Sequence, residues 1–236
     1  TLLGQTDNAA ALLPYWLGAW AIQMAPKGMP MDTAAHLPFI ALLGLTLAAT
    51  WYAVYALART PAAQPVTFAF GGEAKPADYA RAIADGGLLA LLACLGLARL
   101  SHEATPALAQ LSFSALLFFA LANLARKRMA ALLCAAIAIF GLALSGAPAL
   151  AMILGAGGAI VMALDSGQPQ SLRVRKVDVA WVLIFCLASA AISSGLDLWR
   201  WRVASSHLLE IKAMTRLLLW FTWPAWPLAL WTLWRW

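Results

Sequence analysis

From Leu37 onward the chain alternates between long apolar runs and short polar connections. Leu37–Ala58 carries no charged residue. It is long enough for a helix to cross a hydrocarbon core about 30 Å thick, which takes about 20 residues. Further runs of the same kind lie at Gly86–Leu100, Pro106–Ala125, Met129–Leu144, Ala147–Leu164, Val179–Leu196 and Met214–Leu233, which makes seven expected crossings. His36 stands just before the first of them, and Pro38 sits where a first helical turn tolerates proline. Leu12–Met24 is apolar but covers only about 20 Å as a helix, too little to span. Its Tyr15, Trp16 and Trp20 predict a helix lying in the membrane interface, with a tilted or under-length spanning helix as the alternative.

The connections have their own pattern. Arg59–Asp85 is rich in proline and glycine, and Asp78 is placed to cap a short helix running into the next span. Gly155-Ala-Gly-Gly158 lies inside an apolar run with no strand before it, so it predicts close helix packing rather than a phosphate loop. Asp197–Trp236 holds eight of the twelve tryptophans, reading as a charged, aromatic surface loop that feeds the last crossing. Tryptophan favours such boundaries because its ring is apolar and its N–H wants a polar partner.

Composition agrees with this pattern and sets the class. Hydrophobic residues make up 63% and charged residues 11%, against about 45–50% and 25% in soluble domains. The expected fold is therefore all-α, a polytopic integral membrane protein forming a single transmembrane domain over residues 1–236. The net charge of +6 points to membrane topology and lipid, with no nucleic acid partner, because basic residues mark the loops retained in the cytoplasm. Ten of them (Arg59, Lys75, Arg81, Arg126, Lys127, Arg128, Arg173, Arg175, Lys176 and Arg235) fall on one side of the predicted crossings and six on the other. That side is expected to be cytoplasmic, which puts Thr1–Ala35, Ser101–Thr105, Ser145–Gly146 and Asp197–Lys212 outside. Cys94, Cys134 and Cys186 lie far apart in apolar runs and read as buried small side chains. His36, His102 and His207 have no ligand spacing, so no metal is expected.

The outer face collects the polar residues that apolar crossings do not require. His102 and Glu103 stand in a very short hairpin, Asp7 precedes the interfacial helix, and Arg200, Arg202 and Lys212 follow in the last outer loop. Arginine binds phosphate as a planar fork and lysine as a point charge. A carboxylate such as Glu103 or Asp7 can take a proton from a hydroxyl acceptor. Each of these residues has a plainer reading as well, since any loop between two crossings carries polar residues in order to be solvated.

Four segments carry a resemblance to a known family. Asp7–Met24, with its Leu-Leu-Pro-Tyr-Trp-Leu core, resembles the "PPL-x-YWL" segment of glycosyltransferase family 39. Ala34-Ala-His-Leu-Pro resembles the "A-A-R-L-P" opening of that family's next span, and Leu144-Ser-Gly-Ala-Pro-Ala-Leu resembles its "T-K-G-x-x-AL" hairpin. Trp220–Trp231 is similar to a "W-P-W-x-L" span of bacterial members. The family includes aminoarabinose transferases that modify lipid A and protein O-mannosyltransferases. The resemblance implies a GT-C membrane fold and transfer of a sugar from a polyprenyl-phosphate carrier to a lipid or protein acceptor at the periplasmic face of the inner membrane. No other cofactor is implied. Glu103, His102 and Asp7 become the expected catalytic candidates, and Arg200, Arg202 and Lys212 the expected carrier-phosphate contacts.

The chain also departs from the family. The catalytic "D-E-x-x-Y" pattern upstream of the "YW" segment is not in this sequence. Ala10, His36 and Ser145 stand where the family carries basic residues. Two expectations follow: the central part of a longer enzyme, or a non-catalytic membrane scaffold or accessory subunit with protein partners in a larger complex. A transporter ranks third, because the spans carry few buried charges and no pair of broken helices.

Overall fold

Proline opens three of the eight described helices. Pro76, Pro106 and Pro148 each stand at the start of one, where a missing N–H costs nothing and the fixed φ suits the first turn. The computed structural model describes residues 11–65, 74–94, 105–164, 172–199, 212, 215–216, 219–220, 223 and 225–235. Among them the regular elements are all helical: α1 (Leu13–Met24), α2 (Met31–Ala58), α3 (Pro76–Ala93), α4 (Pro106–Asn123), α5 (Arg128–Leu144), α6 (Pro148–Leu164), α7 (Leu172–Gly195) and α8 (Ala225–Arg235), with a single 3-10 turn at Pro61–Ala63.

Helices α2 to α7 run up and down. α4 packs between α2 and α5, α3 lies against the far side of α2, and α6 and α7 pair with each other and against α5. The Leu144–Pro148 hairpin and the starts of α2, α4 and α6 share one end of the bundle, here the hairpin end. At the other, the basic end, lie Arg59, Lys75, Arg81, Arg126, Lys127, Arg128, Arg173, Arg175 and Lys176. Helix α1 starts at the hairpin end and hands over to α2 through a Pro26–Met29 turn closed by a 3.1 Å backbone hydrogen bond. Both its ends are therefore at that end, and α1 lies across it, with Leu13 and Leu17 on the core.

Small residues fill the inside and large ones face out. Ala53, Ala109, Ala120, Ala135, Ala138 and Ala151 are buried, whereas Ile153 is 66% and Leu187 71% exposed. Water would penalise that distribution, and lipid tails would not, because packing between membrane helices rests on close backbone approach. Among the described residues, three helices are long and apolar enough to cross a membrane: Met31–Ala58, Pro106–Asn123 and Arg173–Gly195. α5 and α6 are apolar but shorter, at 17 residues each, about 26 Å of helix.

Three close approaches hold the inner packing. A Cβ built on Gly155 would overlap Cys186 Sγ of α7, one on Gly158 would overlap Leu121 of α4, and one on Gly141 would meet the Phe113 ring. Gly157, on another face of α6, has nothing within 4 Å. Polar ties are few. Ser112 Oγ donates to Leu42 O and joins α4 to α2, while Thr46 Oγ1 lies 2.8 Å from Leu42 O and 2.6 Å from Ser112 Oγ and gives its one proton to either.

The helix boundaries correct several expectations. Among the described residues, fewer helices than seven meet the length and apolarity of a crossing. Helix α2 begins at Met31, so Pro38 lies inside it rather than in its first turn. There it has no N–H for the carbonyl of Ala34, a loss that helices in lipid accommodate. α3 begins at Pro76 and ends at Ala93, so the run Gly86–Leu100 is not one helix within the described residues. Lys75, with no side-chain capping bond, occupies its N-cap, and Asp78 pairs with Arg81 at 3.1 Å instead of capping. α7 begins at Leu172, seven residues before the expected Val179, because nothing in its basic first turns breaks a helix. The run Met214–Leu233 is interrupted by a turn at Trp223, whose neighbour Pro224 disfavours helical backbone at the residue before it.

Candidate functional site at the hairpin end

The hairpin end is built from backbone. Helix α5 closes with Ala147 N donating to Leu142 O and Gly146 N to Ala143 O, both at 3.1 Å. Gly146 has φ +83°, the left-handed backbone that this reciprocal cap requires and glycine adopts without strain. Pro148 then starts α6 at once. The cap leaves the carbonyls of Leu144 and Ser145 facing their neighbours. Leu12 N, at the start of α1, donates to Leu144 O at 2.8 Å, and Gln110 Nε2 of α4 donates to Ser145 O at 2.8 Å. These two bonds tie the interfacial helix and α4 to the hairpin.

Two hydroxyls at this end are buried without a hydrogen-bond partner among the described residues, Ser145 Oγ and Thr105 Oγ1. Ser145 is itself 0% exposed, so its position is closed to any ligand that approaches from outside. His36 is exposed one turn into α2, with Nδ1 2.6 Å from the carbonyl of Asp32. On the outward side of α1, Tyr15, Trp16 and Trp20 are exposed, the two tryptophan rings 6.4 Å apart.

Helix α7 returns to the same end. It stops where Asp197 takes a left-handed φ of 53°, one of the few side chains that tolerate it, and Leu198 N donates to Ser193 O at 2.9 Å. Trp199 Nε1 donates to Ser194 Oγ at 3.0 Å and holds the chain against the last turn. The polar loop expected to carry phosphate contacts therefore leaves α7 from the hairpin end.

Of the six residues expected to do chemistry, Asp7, His102, Glu103, Arg200 and Arg202 lie outside the described residues. Lys212 is in a helical turn and exposed. The residues that the structure does bring together are Leu12, Gln110 and the Leu144–Gly146 hairpin. Gln110 is one that sequence reasoning missed, because it stands within an apolar run. Its signal is a lone amide within the first two turns of a helix, between alanine and leucine.

At the basic end, sequence reasoning missed a pair. Arg128 Nε donates to Asp178 Oδ1 at 2.6 Å, linking α5 to α7, and Asp178 is 0% exposed. The available signal was a single carboxylate in the otherwise basic start of α7.

Two clefts lie elsewhere. One, about 410 Å³, is lined by Leu219, Trp220, Trp223 and Trp226. The other, about 340 Å³, lies between the end of α2 and the start of α3 and is lined by residues including Val54, Leu57, Tyr79 and Ile83. Among the described residues, no group of three His, Cys, Asp or Glu is placed to hold a metal ion.

Compared with protein-family models, curated proteins and solved structures, the chain matches none of them. The helical arrangement and the hairpin end thus rest on this chain's own residues.

Proposed function

We propose that this chain is a GT-C-like glycosyltransferase of the inner membrane, or its central part. It passes a sugar from a polyprenyl-phosphate carrier to a lipid or protein acceptor at the periplasmic face. The observation that carries this reading is the 2.8 Å bond from Leu12 N to Leu144 O. It joins two of the segments that resemble glycosyltransferase family 39, the "YWL" segment and the "S-G-x-x-AL" hairpin, which stand far apart in the chain. A third, Ala34–Pro38, opens α2 at the same end. The reading makes the hairpin end periplasmic, since the basic end holds most of the described cations. It also counts seven crossings, with α1 in the outer interface.

In the reaction, an acceptor oxygen attacks the anomeric carbon while the bond from that carbon to the carrier phosphate breaks. The proton of the acceptor passes to a carboxylate, and the carrier leaves as polyprenyl phosphate. Glu103 is the proposed proton acceptor, with His102 beside it and Asp7 as the second carboxylate. Arg200, Arg202 and Lys212 stabilise the leaving phosphate. The test is sugar transfer from a polyprenyl-phosphate donor by the detergent-purified chain. Transfer is expected, and it should fall at least about a hundredfold in the triple variant Arg200→Ala, Arg202→Ala, Lys212→Ala. Full activity of that variant overturns the phosphate assignment, and no transfer by the unmodified chain overturns the enzyme reading.

Ser145 favours a second reading, a non-catalytic membrane subunit. It stands where the family carries a lysine, and it is buried, so the hairpin presents no cation to a carrier phosphate. This reading expects no transfer and co-purification with a fixed partner.

A further inference from the structure

The basic end carries more positive charge than its helices neutralise. α5 starts with Arg128, and α7 carries Arg173, Arg175 and Lys176 in its first turns. Neither helix has an acidic residue in its first turn. A helix N-terminus is already the positive end of the macrodipole, where cations are unfavourable and anions are held. Lys127 occupies the N-cap of α5 without a side-chain capping bond. Arg126, Lys127, Arg173 and Lys176 are exposed.

Among the described residues, the acids at this end are engaged: Asp85 accepts from Trp51 Nε1 at 2.7 Å. Asp78 is paired with Arg81. Asp178 is withdrawn from solvent and contacts Arg128 through one oxygen only, while its Oδ2 has no hydrogen-bond partner among the described residues. A fork-to-fork pair would engage both oxygens and close the guanidinium off. Here Nε alone meets Asp178 among the described residues, and the Arg128 side chain stays 39% exposed. Retention of cations on the cytoplasmic side accounts for the sign of this face. It does not account for a buried carboxylate that holds one arginine head in place at the boundary.

We propose that the start of α5 and α7 is a binding site for the phosphodiester headgroup of an anionic phospholipid. Arg128, steered by Asp178, is the central contact, and Arg126, Lys127, Arg173 and Lys176 surround it. A lipid rather than a free anion fits because the next turns of the same helices expose apolar side chains. Met129 and Leu133 on α5, and Val177 and Trp181 on α7, are all exposed just beyond the cations. Acyl chains can run along them while the headgroup stays at the basic end. Clusters of this kind on the cytoplasmic side attract anionic headgroups.

The test uses the full chain in detergent, with native mass spectrometry and thermal stabilisation as readouts. The probes are phosphatidylglycerol, phosphatidylcholine and inorganic phosphate. Phosphatidylglycerol is expected to be retained and to stabilise, and the other two are not. Arg128→Gln should weaken phosphatidylglycerol binding about tenfold, the loss of one charge-assisted hydrogen bond. Arg128→Lys should lose nearly as much, because an ammonium lacks the fork that contacts Asp178 and headgroup together. Asp178→Asn is the discriminating variant. It makes the face more positive, so diffuse attraction would tighten binding, whereas loss of steering weakens it. Equal or tighter binding by Asp178→Asn overturns the proposal. So does equal retention of phosphatidylcholine, or stabilisation by inorganic phosphate as large as by the lipid. Should the buried-pair variants not fold, Lys127→Gln and Lys176→Gln decide. Each should weaken binding about fivefold, and unchanged affinity in both overturns the site.

Discussion

Replacing Gly155 by alanine tests whether α6 and α7 are held by direct backbone approach. The new Cβ would overlap Cys186 Sγ and stand 3.5 Å from Ile139 Cδ1. Cys186 is 5% exposed and has one short side-chain torsion, so its sulfur has little room to withdraw. Either that rotamer changes or the two helices separate, and separation loses dispersion contacts along the whole α6–α7 face. Inserting one methyl group into a close-packed site costs about 1–3 kcal/mol. For a chain of this size, each kcal/mol moves the midpoint by about 2–4 °C, so a drop of about 4–8 °C is expected for a cost near 2 kcal/mol. Cys186→Ala alone should destabilise by about 1 kcal/mol through the void it leaves. In the double variant the alanine at 155 occupies that void, so the two effects should cancel rather than add. Gly157→Ala is the internal control. It has nothing within 4 Å and should stay within about 0.5 kcal/mol of the parent. The assay is thermal denaturation of the detergent-purified variants at one scan rate, followed by tryptophan fluorescence. Equal midpoints for the 155 and 157 variants, or simple additivity with Cys186→Ala, would refute the close approach.

Two further outcomes follow from the polar ties. Ser112→Ala removes the hydroxyl that reaches from α4 to Leu42 O and Thr46, both buried in α2; the same melting assay should show a loss of about 1 kcal/mol, the middle of the range for hydrogen bonds between membrane helices. Leu12→Pro removes the N–H that docks α1 on Leu144 O and shifts the backbone there from a φ of −99° toward the value proline fixes, about −65°. A loss of about 1 kcal/mol in docking should make protease cleavage between α1 and α2 about fivefold faster, and an unchanged rate would mean that α1 is held by its apolar face alone.

Hydropathy located the apolar runs well because lipid selects for them residue by residue, but it marked where lipid begins rather than where helices begin. α7 shows the difference. Its apolar run starts at Val179, yet its backbone hydrogen bonds start at Leu172, since arginine and lysine are good helix formers that merely avoid the hydrocarbon. The start of α3, where Ala-Asp-Tyr-Ala-Arg is polar and still helical, is legible from the turn and capping residues around Asp78 rather than from hydropathy. Local chemistry was legible where a residue type has one physical use: α6 follows its proline, and Gly155 and Gly158 predicted close packing that their positions bear out. That Gly157 takes no part could not be read, because all three glycines look alike until the face of the helix is known. The hairpin end was legible only as a set of polar residues between runs. Its joining bond, Leu12 N to Leu144 O, uses main-chain atoms that every residue but proline has, so no side chain announces it. The Arg128–Asp178 pair is the opposite case. A lone carboxylate among cations at a helix start had a partner to be sought, and its partner lies 50 residues away in sequence. Charge imbalance at a membrane boundary therefore carries more recoverable information than polar residues scattered through loops, because burying a carboxylate there is worth its cost only when a specific cation is held by it.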